Sequence, residues 1–229
     1  RTTDQAIVFA MALTLPAAAA LIAIPHYLID GLFQRGEFTP YDATETAKAL
    51  FHYGWGTPAF VLARVLSPVF FARSDTRAPM RFAIVSMVVN IVLGIGLFYV
   101  IGFEGIAAAT AFASWLNVGQ MVWTLRRRGD WTPSPVAAGK LVRILIASTL
   151  MGLALYAAQF WRADLEGLLG GFRLPGLGAK EIVILLVCLA GASLYPPLLL
   201  LSGGVTLAEA RAALRRRPGV TAPPPTDPL

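Results

Sequence analysis

Phe82-Ala-Ile-Val-Ser-Met-Val-Val-Asn-Ile-Val-Leu-Gly-Ile-Gly-Leu-Phe-Tyr-Val-Ile-Gly-Phe103 passes without one Asp, Glu, Lys or Arg. A helix needs about 20 such residues to cross the hydrocarbon of a bilayer. Five more stretches read the same way: Gln5 to Ile29, Ala49 to Ala63 continued beyond Arg64 by Val65 to Ala72, Gly105 to Leu125, Ile144 to Trp161, and Ile182 to Ala208. Buried in lipid, a backbone amide finds no water, so a span is a helix or part of a closed barrel. Continuous apolar runs without alternation exclude the barrel. The expected fold is therefore an all-α integral membrane protein with six transmembrane helices. Composition agrees: 56% of the 229 residues are hydrophobic and 14% charged, with a mean hydropathy of +0.65. Soluble domains carry roughly 25% charged residues, so a water-soluble globule is excluded. The first run is too long for a signal peptide and lacks a basic start and a small-residue cleavage site.

Between the spans the charges separate. The segments Arg73–Arg81, Arg126–Arg143 and Arg211–Arg217, together with Arg1, hold thirteen of the nineteen Lys and Arg. All fall on one side if the spans alternate, whereas Asp30, Glu37, Asp42, Glu45, Glu104, Asp164, Glu166 and Glu181 fall on the other. Cations are retained in the cytoplasm during insertion. Both termini are thus expected inside, and the net charge of +6 reflects topology, not nucleic-acid binding. A single cysteine, Cys188, leaves no intrachain disulfide and no cysteine zinc site.

Loop chemistry sets the boundaries. In Phe38-Thr-Pro-Tyr-Asp42, Thr39 is placed to cap a helix, Pro40 suits its first position, and Asp42 closes a capping box. Continued to Ala72, that helix reaches about 50 Å, against about 30 Å of hydrocarbon, so its first turns must project from or lie along the outer surface. Pro79 marks the first turn of the third span, Trp131 to Pro135 separates the fourth from the fifth, and Gly167 to Gly178 reads as an outer loop. The Pro-rich end has little to bury and is expected to be disordered.

Arg64 carries the most information. If its span centres between Phe51 and Phe71, the residue lies about three positions from the middle and about 10 Å from the nearer interface. An arginine there costs at least about 2.5 kcal/mol and usually faces protein or a wet cavity. Two readings follow: a cavity cation that meets a ligand phosphate, or a snorkelled or internally paired side chain. Asn90, Asn117 and Gln120 are candidates to line a polar passage, but amides also bond helix to helix in membranes. Gly54, Gly56, Pro58 and Pro68 in the Arg64 helix, with Pro16 and Pro25 in the first, permit bending. His26 and His52 lie near the outer interface without an acidic or nucleophilic partner at triad or metal spacing, so neither enzyme catalysis nor a metal or cofactor is expected.

Motif order adds a likeness. Leu32-Phe-Gln-Arg-Gly-Glu-Phe-Thr39, followed by Asp42 and Thr46-Ala47, then Leu66-Ser-Pro-Val-Phe-Phe-Ala72 and Asp75-Thr-Arg-Ala-Pro79, resembles the MurJ (MviN) family of lipid II flippases. The family pattern is close to LFxxGxF, a short helix, then FYAxxDTxTP. Phe33, Gly36, Phe38, Phe70, Asp75, Thr76 and Pro79 match it; Phe71 replaces the usual tyrosine and Ala78 the usual threonine. The resemblance implies a fourteen-helix exporter of the multidrug/oligosaccharidyl-lipid/polysaccharide (MOP) superfamily in the bacterial inner membrane, of which this chain is the C-terminal part. Residues 1–128 would be four helices of the second lobe, 129–208 the two additional helices, and 209–229 a basic cytoplasmic tail; the chain's start at Arg1 fits a fragment. It also implies lipid II as substrate, a cationic cavity for its headgroup with Arg64, Asn90, Asn117 and Gln120 as lining candidates, a groove for its polyprenyl tail near the last two helices, and an N-terminal lobe as partner. Competing expectations are a related exporter of another lipid-linked oligosaccharide or drug, a non-transporting membrane scaffold, and an intramembrane enzyme.

Overall fold

The computed structural model describes residues 2–33, 38–161 and 179–203, with 164 and 167. Expectations that fall on Arg1, Gly36, most of the Gly167 to Gly178 loop, the last residues of the sixth span and the 209–229 tail lie outside the described residues. The helices are α1 (Thr2–Ala23), α2 (Pro25–Phe33), α3 (Pro40–Phe71), α4 (Arg77–Ile101), α5 (Glu104–Arg127), α6 (Pro135–Ala158), continued by a 3-10 turn at Gln159–Trp161, and α7 (Ala179–Leu201).

Among the described residues four segments, Thr3–Ala23, Arg77–Ile101, Pro135–Trp161 and Glu181–Leu201, are long and apolar enough to cross a membrane. The central helices α3 and α5 are less apolar for a physical reason. α3 packs on α1, α2 and α5, and α5 packs on α3 and α4. Surfaces turned toward protein need small side chains more than oily ones. Hence α5 buries Gly105, Ala107, Ala108, Ala109, Ala111 and Ala113.

The first expected span is two helices, not one. Helix α1 stops at Ala23 and α2 restarts at Pro25. Proline lacks the amide that would continue the ladder and pushes the residue before it out of the helical region. Thr39 opens α3 as its side chain suggests: its hydroxyl accepts the Asp42 N–H at 3.2 Å, while Asp42 accepts the Thr39 N–H at 2.9 Å. From Pro40 the helix runs unbroken to Phe71, about 48 Å at 1.5 Å per residue.

One end of the bundle is tied by charge. Arg73 pairs with Asp130, and Arg128 donates to Asp75 at 2.6 Å. The other Asp75 oxygen accepts the Ala78 N–H at 3.0 Å and so caps α4. Asp4 accepts the Trp131 indole N–H at 2.7 Å and the Ser134 N–H at 3.2 Å, bringing the start of α1 to the α5–α6 connection. The α6–α7 pair lies apart, on α1 and α2, through a cluster that includes Ile24, Tyr27, Met151, Leu155 and Ile184. Cys188 is exposed on α7.

Candidate functional site

The contacts of α3 locate Arg64. Toward α5 the row Gly56, Ala59, Leu66 and Phe70 is buried; a Cβ on Gly56 would stand 2.7 Å from that of Ala111. Leu66 and Phe70 share one buried cluster with Val118, Met121 and Leu125. Gly54 instead faces α1, where its Cβ would be 3.1 Å from that of Leu21. At about 100° per residue, Arg64 shares a face with Tyr53, Thr57 and Phe71, between these two contacts. There Tyr53, Arg64 and Phe71 are exposed.

Because α3 and α5 both finish at the Arg73–Asp130 and Asp75–Arg128 ties, they run in the same direction. On α5 the row Thr110, Ser114 and Asn117 stands about a quarter-turn from the Ala111–Val118 contact row, rotated in the opposite sense to Arg64 on α3. For parallel helices this puts both polar rows on one side of the seam. Arg64 makes no hydrogen bond or ion pair among the described residues. The buried Asn117 Oδ1 likewise has no partner. The hydroxyls of Thr57, Ser67 and Ser114 turn back to the carbonyls of Tyr53, Ala63 and Thr110.

The remaining amides join helices. The Thr110 hydroxyl donates to the Ile106 carbonyl at 2.9 Å and shares its proton with Asn90 Oδ1 at 3.3 Å, and Gln120 reaches Ser86 Oγ at 3.5 Å, so both amides meet hydroxyls across the α4–α5 seam. Arg64 and Asn117 are thus the unengaged pair, whereas Asn90 and Gln120 are engaged in packing. Sequence reading missed Ser86, Thr110 and Ser114. Their only signal is a spacing of three, four or seven from an amide on the same helix, which hydroxyl residues show by chance.

The motif residues serve the turns. Phe38 packs on the cluster of Ile29, Ala43 and Ala47. Phe70 is buried, edge-on to Phe82 at 6.0 Å, and Pro79 is buried beside the α3–α4 turn. Thr76 makes no side-chain cap bond; that task falls to Asp75. The Arg128 guanidinium, and next the Ala78 N–H, hold the Asp75 carboxyl below the usual carboxylate range. Phe33 is exposed at the end of α2.

Two recesses lie away from the Arg64 face. One of about 380 Å³ gathers His26, Lys48, His52 and Glu104 at the opposite end from the charge ties. His52 Nδ1 accepts the Trp55 indole N–H at 3.2 Å, and His26 Nε2 lies 3.5 Å from the Thr44 hydroxyl. Among the described residues no three His, Cys, Asp or Glu stand close enough to hold a metal ion. The other recess, about 300 Å³ and almost wholly apolar, lies between α6 and α7 and is lined by Leu155, Val183, Val187, Gly191 and Leu194 among others.

A family profile described as "Lipid II flippase MurJ" matches residues 1–165. The "Probable lipid II flippase MurJ" of Rhizobium meliloti (strain 1021) is 35% identical over 216 residues, 93% of this chain and 39% of the relative. That of Rhizobium tropici is 37% identical over 215 residues, with the same shares. This chain therefore spans well under half the length of these relatives. A solved structure titled "Lipid II flippase MurJ, inward closed conformation" superposes with a TM-score of 0.68 at 21% identity, covering 93% of this chain and 39% of the other, which shows a shared fold. Apolar helices, the profile over most of its length and relatives above 30% identity make this a multi-pass inner-membrane protein that belongs to the MurJ family.

Proposed function

We propose that the complete polypeptide moves lipid II from the inner to the outer leaflet for cell-wall synthesis, and that this chain forms the C-terminal part of a fourteen-helix carrier. In this reading α3 and α5 also cross the bilayer, giving six spans. Residues 1–128 belong to a transporter lobe, 129–208 form an added pair, and both termini face the cytoplasm with the basic tail 209–229. The segregation of Lys and Arg supports that orientation.

A diphosphate headgroup cannot enter hydrocarbon unescorted, because desolvating its charge is prohibitive. A carrier supplies a hydrated, charge-matched path and exposes it to each side in turn. The observation that carries the reading is Arg64, exposed without a described partner on the face that α3 shares with the polar row of α5. Its planar guanidinium matches phosphate oxygens in pairs. Asn117 stands on the same side of the α3–α5 seam with a buried, unpartnered Oδ1, while Asn90 and Gln120 hold the α4–α5 wall. The apolar recess between α6 and α7 is suited to the polyprenyl tail. A missing N-terminal lobe would close the other side of the path. No bond is made or broken in this cycle.

The test is Arg64→Ala in the complete protein at matched abundance. Outward delivery of labelled lipid II should fall by about tenfold or more, the weight of a charge-assisted hydrogen bond, with Arg64→Lys in between. Unchanged delivery in Arg64→Ala would favour a scaffold role and remove Arg64 from the path.

A further inference from the structure

Every proline inside a helix leaves one carbonyl, four residues earlier, without its amide donor. In hydrocarbon such an orphan is costly unless something else donates to it. One such orphan is met by a side chain from another helix. Pro16 orphans the Ala12 carbonyl in α1, and the Tyr195 hydroxyl of α7 donates to it at 2.7 Å. Pro58 orphans the Gly54 carbonyl in α3, to which no described side chain donates; Gly54 is buried against α1, so that carbonyl is not offered to a ligand as one on an exposed face would be.

Pro68 orphans the carbonyl of Arg64. No described side chain donates to it. The Ser67 hydroxyl, next to Pro68 in sequence, is committed to the Ala63 carbonyl at 2.7 Å. Arg64 and Pro68, the residues on either side of that carbonyl along the helix, are both exposed. One residue therefore presents a cation on its side chain and a free acceptor on its backbone, with the unpartnered Asn117 Oδ1 on the same side of the α3–α5 seam.

We infer that the Arg64 carbonyl freed by Pro68 accepts a hydrogen bond from a sugar hydroxyl or amide N–H next to the phosphate that the Arg64 guanidinium holds. The inference rests on the substrate path proposed above and adds a source of specificity to it. A guanidinium alone grips any lipid diphosphate. An acceptor beside it favours a diphosphate that carries a sugar, because a bare polyprenyl diphosphate has no donor at that position.

The experiment measures binding of lipid II and of undecaprenyl diphosphate to the complete protein in nanodiscs. Pro68→Ala restores an N–H that occupies the Arg64 carbonyl, and removing a helix-interior proline should not destabilise the fold. Lipid II affinity should drop about fivefold, the weight of one neutral hydrogen bond, with undecaprenyl diphosphate unaffected and the melting temperature not lowered. Replacing residue 68 by the α-hydroxy acid analogue of alanine removes both ring and N–H, and should keep lipid II binding near the starting level. Equal losses in Pro68→Ala and the ester variant would assign the effect to the proline bend and overturn the inference. So would unchanged lipid II binding in Pro68→Ala while Arg64→Ala weakens both lipids. If Arg64→Ala weakens neither, the path itself fails.

Discussion

The seams of α5 with α3 and α4 are set by backbone, and the seam between α6 and α7 by side-chain ends. A Cβ added at Gly105 would stand 2.6 Å from both the carbonyl carbon and oxygen of Leu97, and one at Gly56 would stand 3.0 Å from Ala111 Cα. At Gly191 the nearest atom would be a Leu155 methyl, Cδ2, at 3.0 Å. Backbone cannot step aside, whereas a leucine can change rotamer. The first arrangement is rigid enough to hold polar groups in register along Arg64's face. The second is loose enough to leave an apolar recess of about 300 Å³.

The sharpest way to break this contrast is at Gly105. Gly105→Val drives a branched side chain into the Leu97 peptide and should cost about 3 kcal/mol or more, at the upper end of overpacking penalties. Thermal unfolding in detergent should show a large fall in midpoint. A midpoint within a degree or two of the parent would mean that α4 and α5 slide freely, and the distinction between the seams would be lost.

The matched change at Gly191 should have a smaller effect. Gly191→Ala meets only the end of Leu155, whose neighbours border an open recess, and alanine is the better helix former by about 1 kcal/mol. The two effects offset, so the midpoint should move little in either direction. A fall as large as that of Gly105→Val would show that α6 and α7 are as tightly locked as α4 and α5.

How far sequence reading reached follows the same divide. Runs such as Phe82 to Phe103 and Ile144 to Trp161 disclose their helices because lipid-facing surface must be apolar. Thr39 and Asp42 disclose a cap because the box is local. What sequence could not show depends on neighbours far along the chain. That Asn90 is engaged and Asn117 is not follows from where Thr110 sits across the α4–α5 seam, and both residues read alike as amides in apolar runs. The Pro25 break was visible as a proline, but the runs on either side are equally apolar, so hydropathy alone merged α1 with α2. Motif residues Phe70, Asp75 and Pro79 were legible as a pattern and proved to shape the α3–α4 turn, away from the Arg64 face.

Acid sharpens the contrast least in size but most in place. Asp75 has its carboxyl held low, so the folded chain binds that proton less readily than the unfolded one does. Its contribution is present above the unfolded carboxylate value of about 3.9 and is lost as pH falls through the lower folded value. Protonation weakens the pull on Arg128 while the cap on Ala78 loses charge, so the first turn of α4 should loosen and α7, which has no link to Asp75, should not. Amide hydrogen exchange compared between pH 5 and pH 3, after correction for intrinsic rates, should rise at Ala78 and stay level along Val183–Val187. Asp75→Asn keeps an oxygen for the Ala78 amide without a titrating charge, so it should abolish the acid-dependent part of the change. If α7 amides respond to acid as strongly as Ala78, the charge tie is not what separates the two regions.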